Sequence, residues 1–105
     1  MTVPPSVEKE HDEVTVIVNN PAQLSCQVSG IPPPTISWRK VGENSTVIEN
    51  TDDSVILPNG ALRVHHVSVD DAGMYECFAT SIAGNASKTV MLNVQGENSI
   101  SDGMQ

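Results

Sequence analysis

Residues 71–77 read Asp-Ala-Gly-Met-Tyr-Glu-Cys, and this stretch decides how the rest of the chain is interpreted. Asp71 and Gly73 favour a turn, and Tyr75 and Cys77 follow at a spacing of two residues. Residues two apart on a strand point to the same face of a sheet. The stretch therefore predicts a turn that leads into a strand whose tyrosine and cysteine both point inward.

The rest of the chain contains one other cysteine, Cys26, and one tryptophan, Trp38. Two distant cysteines in a small β-rich chain suggest a disulfide and an oxidising compartment. Two packed sheets lie about 10 Å apart, and a cystine bridges them when its Cα atoms come within about 7 Å. We expect a Cys26–Cys77 bond across the core, with Trp38 packed against its sulfurs.

Apolar residues alternate with polar ones along most of the chain, and no segment has the period of a helix. Turn signals recur about every 8–12 residues, which is typical of an all-β sandwich of two antiparallel sheets. About eight or nine short strands are predicted. They cover residues 3–8, 14–18, 22–29, 35–40, 46–49, 54–57, 61–66, 74–80 and 88–94.

The length of 105 residues suits a single domain, which we assign to residues 1–95. Residues 96–105 are polar and aperiodic, and we expect a flexible tail or linker there. The net charge is −8, and the five Lys and Arg residues are scattered, which argues against binding nucleic acid or another polyanion. No apolar run approaches the roughly 20 residues of a membrane helix, so direct membrane insertion is not expected.

The first residues lack the charged and apolar regions of a signal peptide, so the chain is either cytosolic or a piece of a larger protein. The predicted disulfide favours the interpretation that the chain is a piece of a larger protein. Two tripeptides that match the N-glycosylation acceptor pattern, beginning at Asn44 and Asn85, favour it as well. Both asparagines are expected in exposed loops or turns. A glycan on Asn85 would crowd the end of the sandwich that carries the proline loop at residues 31–34.

The order Cys26, Trp38, Tyr75, Cys77 resembles the immunoglobulin fold, whose tyrosine lies two residues before the second cysteine. The proline loop before Trp38, the pair Leu62-x-Val64 and the run Asp71-x-Gly73-x-Tyr75-x-Cys77 resemble the intermediate, or I-set, subclass. The resemblance implies an all-β, immunoglobulin-like β-sandwich whose two sheets are joined by one disulfide. It also implies a core signature of four residues: Trp38, Leu62, Asp71 and Tyr75.

Within that subclass, residues 57–64 followed by residues 71–77 resemble the domains of tandem-domain extracellular-matrix proteins of the hemicentin and peroxidasin type. Neural adhesion and guidance receptors share the pattern. One departure concerns Asp71, because many variable-type relatives pair this aspartate with an arginine from a preceding strand, and residues 50–57 contain none. We therefore expect Asp71 to accept hydrogen bonds from its own turn.

Nothing in the sequence predicts an enzyme, a cofactor or a metal site. His65 and His66 are adjacent on a predicted strand and so point to opposite faces. The acidic pairs at residues 52–53 and 70–71 lack an ordered calcium-binding loop, and turn chemistry explains them. No hydrolase motif presents a nucleophile, and both cysteines are committed to the disulfide.

Residues that alternate with the core positions of the strands at 35–40, 74–80 and 88–94 point to solvent. The candidate partner-binding residues on this outer face are Arg39, Met74, Glu76, Phe78 and Met91. Phe78 is the only phenylalanine of the chain. If Phe78 and Met91 lie side by side, they form a small apolar patch of the kind that can mark a partner site.

The sequence thus predicts a non-catalytic extracellular module of a matrix or cell-surface adhesion protein. Its role would be to contact other proteins, among them neighbouring immunoglobulin domains, and to act as a spacer in a tandem array. The alternative is an intracellular structural module of a muscle or cytoskeletal protein with reduced cysteines. Partner and oligomeric state are left open.

Overall fold

The computed structural model describes residues 1–7, 10–42, 47–48 and 50–96. These residues form nine strands and one short 3₁₀ turn, η1 (Val69–Asp71). The strands are β1 (Val3–Val7), β2 (His11–Ile17), β3 (Ala22–Leu24), β4 (Val28–Ile31), β5 (Thr35–Lys40), β6 (Ser54–Ile56), β7 (Leu62–Val64), β8 (Gly73–Ser81) and β9 (Gly84–Gln95).

The main sheet has four strands in the order β2-β9-β8-β5, and it faces a three-stranded sheet in the order β3-β7-β6. β1 pairs with β4, which follows β3 after residues 25–27. In the main sheet β8 runs antiparallel to both β5 and β9, whereas β2 runs parallel to β9. The predicted all-β, immunoglobulin-like sandwich is confirmed.

The inward residues of both sheets form one core around the Cys26–Cys77 disulfide, whose Cα atoms are 6.3 Å apart. The predicted bond is therefore present. In the chain-entropy model, closing a loop of this length stabilises the fold by about 4 kcal/mol. Trp38 is only 1% exposed, and its indole nitrogen donates a 2.7 Å hydrogen bond to the carbonyl oxygen of Gly60. Leu62, the remaining apolar signature residue, is fully buried.

The corner before β8 is held by Asp71 and Tyr75. One carboxylate oxygen of Asp71 accepts a 2.8 Å hydrogen bond from the backbone N–H of Ser68, within its own turn. The Tyr75 hydroxyl donates to the carbonyl oxygen of Asp71 at 2.6 Å. Burial, together with the nearby Asp71 carboxylate, raises the pKa of the Tyr75 phenol to about 12. The ring of Tyr75 is buried in the core, so this side chain joins the corner to the interior.

Two details of the strands differ from the sequence prediction. The predicted strand at residues 22–29 is interrupted at residues 25–27 and forms β3 and β4. β8 and β9 extend towards each other until only Ile82 and Ala83 remain between them, a tighter turn than the predicted one at residues 81–85. Gly84 permits this turn, because its φ of 147° is one that side chains rarely adopt.

Two predicted segments fall largely outside the described residues. The strand predicted at residues 46–49 includes two residues outside the description, and Val47 forms an isolated bridge with Arg39. Of the predicted tail at residues 96–105, only Gly96 is described. The pairing of β1 with β4 shifts register between Val3 and Ser6, around two prolines.

Candidate protein-binding face

The outer face of the main sheet is built from the residues that alternate with the core positions of β5, β8 and β9. Pairing between the strands arranges these residues in rows. Arg39, Glu76 and Thr89 form one row, and Ser37, Phe78 and Ser87 form the next. On the other side of Glu76, Met74 lies opposite Met91. All five predicted binding residues, Arg39, Met74, Glu76, Phe78 and Met91, therefore occupy rows of the same face.

Phe78 and Met91 do not lie side by side, so the two residues do not form the predicted apolar patch. Phe78 pairs with Ser87 and Met91 pairs with Met74, so the row of Glu76 and Thr89 lies between the two apolar rows. Four residues along a strand correspond to about 13 Å. The physical reason is the tight turn between β8 and β9, because pairing of Ser81 with Gly84 fixes the register of the whole hairpin.

Phe78 instead borders a hollow between β5 and β8. The hollow has a volume of about 290 Å³ and is lined by Ser37, Trp38, Arg39, Val47, Glu76 and Phe78. Its apolar rim comes from Phe78, which is 39% exposed, and Val47, which is 64% exposed. Such a hollow can accept an apolar side chain of a partner, with polar groups at its edge.

The polar edge of the hollow is an ion pair between Arg39 and Glu76. The Arg39 Nε donates to the Glu76 carboxylate at 2.7 Å, directly across the two strands. The two side chains are 51% and 20% exposed, so this pair contributes little to stability, about 0.2–1 kcal/mol by analogy with measured surface pairs. Its effect on the site is to balance the charge at the rim.

Val47 lines this hollow, but the sequence prediction did not include it in the binding face. A strand was predicted at residues 46–49, but its position beside Arg39 depends on a bridge between segments that the sequence pattern does not pair.

Lys88 was also missed as an interior residue. It is 6% exposed, and its ammonium lies 3.8 Å from a carboxylate oxygen of Asp12. The signal was its place two residues before the inward Val90.

The two acceptor asparagines have different outcomes. Asn44 lies outside the described residues. Asn85 is exposed near the start of β9, opposite Thr80, and Thr80 in turn lies opposite Thr35. Because Thr35 directly follows the proline loop, Asn85 lies at the same end of the sandwich as that loop.

In the described part of the chain, no group of three or more His, Cys, Asp or Glu side chains is arranged to hold a metal ion. The closest histidine–carboxylate contact is between the Nδ1 atom of His66 and Asp53, at 3.9 Å, and both side chains are largely exposed. Among the described segments, none forms a helix that is long and apolar enough to cross a membrane.

Comparison with known proteins agrees with this architecture. The chain is 43% identical over 100 residues to human Hemicentin-1, a match that covers 95% of this chain and 2% of that protein. It is 34% identical over 98 residues to Neural cell adhesion molecule 1-A of Xenopus laevis, covering 90% of this chain and 9% of that protein. The chain thus spans only a small fraction of the length of either relative.

Among solved structures, a chimeric titin Z1Z2 functionalised with a peptide from decorin superposes with a TM-score of 0.81 and 30% identity. The superposition covers 92% of this chain and 100% of the titin chain. The family model described as "Immunoglobulin domain" matches residues 4–81. A match over most of the chain, on a sandwich closed by the Cys26–Cys77 bond, shows that the chain belongs to the immunoglobulin domain family.

Proposed function

We propose that the chain is an extracellular adhesion or matrix module that binds other proteins through the outer face of its main sheet and acts as a spacer in a tandem array. As an immunoglobulin domain of this kind it is non-catalytic. The observation that carries the binding role is the hollow between β5 and β8, with Phe78 and Val47 exposed on its rim. Large apolar side chains exposed around a concavity are typical of partner sites.

The extracellular setting is supported by the state of the cysteines and by the relatives. Both cysteines are joined in one disulfide, and disulfides persist chiefly in oxidising compartments. The similarity to Hemicentin-1 agrees with the resemblance of the sequence to tandem-domain matrix proteins. One relative is named as a cell adhesion molecule. The spacer role is proposed because the relatives are many times longer than this chain.

The partner proposed for the hollow is another immunoglobulin domain, and a second copy of this chain is the simplest probe. Two copies repel each other through their net charge of −8, so contact has to come from the apolar rim. Salt near 0.15 M screens charges beyond about 8 Å and leaves such apolar contacts intact. Self-association should therefore strengthen as salt is raised from low concentration to that level.

The test replaces rim residues and measures self-association by sedimentation at about 0.15 M salt. We expect Phe78→Ser and Val47→Ser each to weaken association about tenfold, because buried apolar anchors dominate contact energy. Val69→Ser is the matched control for Val47→Ser, since Val69 is about as exposed as Val47 but lies on η1, outside the hollow. Unchanged association in both rim variants would contradict the proposed face. Unfolding curves of each variant exclude loss of the fold as the cause.

A second candidate function is supported by one specific observation. The titin chimera, a similar solved structure, favours an intracellular structural module with reduced cysteines. The oxidised Cys26–Cys77 bond supports the extracellular reading instead. The redox state of these two cysteines in the natural protein separates the two proposals, because a cytosolic protein keeps its thiols reduced.

A further inference from the structure

One end of the outer face, around Asn85, lies outside the hollow between β5 and β8. Residues 85–87 read Asn-Ala-Ser, the acceptor pattern for an N-linked glycan. Asn85 is exposed and lies in regular β9, so a bulky substituent there can extend into solvent without displacing the fold. No described residue makes a hydrogen bond to its side-chain amide. The acceptor is therefore accessible in the folded domain as well as in the nascent chain.

Asn85 and Phe78 are diagonal neighbours on this face. Asn85 pairs with Thr80, and Phe78 pairs with Ser87, so the two side chains lie on adjacent rows and point to the same side. Diagonal neighbours on paired strands are about 7–8 Å apart, a distance that the first sugars of a glycan span easily. Phe78 is the only phenylalanine, and it is 39% exposed.

The chemistry around Asn85 suits a carbohydrate. On the side of β1 and β2, Asn85 borders a hollow that Glu10 and His11 also line. On the side of β8, its row consists of Thr80 and Thr35 and its neighbour along β9 is Ser87, so the adjacent outward side chains there carry hydroxyl groups. Sugar hydroxyls can hydrogen-bond to these groups. The apolar C–H face of a pyranose ring can cover an aromatic ring, and removing that apolar surface from water is favourable.

We propose that Asn85 carries an N-linked glycan whose first sugars lie over the side of Phe78 that faces β9. The side of Phe78 that faces β5, with Ser37 and Val47, stays open as the rim of the hollow. The glycan thus restricts partners to an approach from the β5 side. The inference rests on the proposed extracellular setting, because N-glycans are added in the secretory pathway.

The experiment expresses the full chain through a eukaryotic secretory pathway. The Asn44→Gln substitution is present throughout, so that only Asn85 can be modified. Glycopeptide mass spectrometry then reports occupancy at Asn85. Hydroxyl-radical footprinting measures the reactivity of Phe78 before and after enzymatic removal of the glycan. Met91, on the same face but two rows away, serves as the internal control.

We expect Asn85 to be occupied, and the glycan to lower Phe78 labelling at least twofold while Met91 labelling stays unchanged. Asn85→Gln should label like the deglycosylated protein, whereas Ser87→Thr, which keeps the acceptor, should label like the glycosylated one. An unmodified Asn85, or equal Phe78 labelling with and without the glycan, overturns the inference. Neither result contradicts the proposed function as an extracellular module. That proposal would be contradicted by free thiols at Cys26 and Cys77 in the natural protein.

Discussion

Tyr75 is the residue that joins the core to the corner before β8. Its ring is buried beside the disulfide, and its hydroxyl donates to the Asp71 carbonyl at 2.6 Å. The sequence predicted that its ring points inward, because Tyr75 lies two residues before Cys77 on the same strand. The bond from its hydroxyl to the corner is a finding of the structure. Lys88 shows the opposite case. The alternation pattern does not predict a lysine at a core-facing position. In the structure, the ammonium of Lys88 lies beside the carboxylate of Asp12, and this ion pair explains why it is there.

Tyr75 gives a prediction at alkaline pH. Its pKa is raised to about 12 in the folded domain from 10.0 in the unfolded chain, so the fold favours the neutral phenol. This contribution to stability is complete below pH 10 and is lost as the pH rises from 10 to 12. A shift of this size corresponds to at most about 3 kcal/mol. Tyr75→Phe should lack this pH-dependent component.

The measurement is direct because Tyr75 is the only tyrosine. The absorbance of its tyrosinate form gives the titration midpoint of the folded domain, and denaturant unfolding at each pH gives the stability. A midpoint near the ordinary value of 10.0, or identical pH dependence in wild type and Tyr75→Phe, would be at odds with the buried hydroxyl seen here.

β8 turns one face to the core and the other to solvent. Its inward residues, Tyr75, Cys77 and Ala79, are buried, and its outward residues, Met74, Glu76 and Phe78, lie on the candidate face. Period-two alternation predicted this division. It did not predict which outward residues are neighbours across strands, because that depends on the register of the strands. The register is set by the turn between β8 and β9, and the predicted turn was longer than the observed one.

The turn between β6 and β7 offers a test at this scale. Gly60 has φ 93°, and a Cβ atom there would lie 3.1 Å from the carbonyl oxygen of Cys26. Gly60→Ala should therefore lower the free energy of unfolding by about 1–3 kcal/mol, through backbone strain and displacement of the acceptor for Trp38. The measurement is chemical denaturation followed by the fluorescence of Trp38.

Gly96→Ala is the matched control for this substitution. A Cβ atom at Gly96 meets nothing within 4 Å, so we expect a change within about 0.5 kcal/mol. Equal stability of the Gly60→Ala variant and wild type would show that this close approach of the turn to Cys26 does not constrain the fold.

The fold of the whole molecule was predictable because a few sequence features all indicate the same core. Cys26, Trp38, Tyr75 and Cys77 occupy one core. Alternation along the predicted strands placed each of them inward, although Cys26 lies in the break between β3 and β4. The candidate site was only partly predictable. Arg39, Glu76 and Phe78 were placed on the correct face, but Val47 completes the hollow through a bridge that no local pattern reveals.

The proposed extracellular setting requires that the two cysteines of this immunoglobulin domain are joined in the natural protein. Counting thiols in protein taken from its natural source distinguishes this setting from the intracellular alternative. The protein is unfolded without reductant in the presence of an alkylating reagent, so that burial cannot hide a reduced cysteine, and its mass is measured. We predict no alkylation at Cys26 or Cys77, and one disulfide released only by reductant. Alkylation of both cysteines would contradict the extracellular assignment and favour the intracellular structural module.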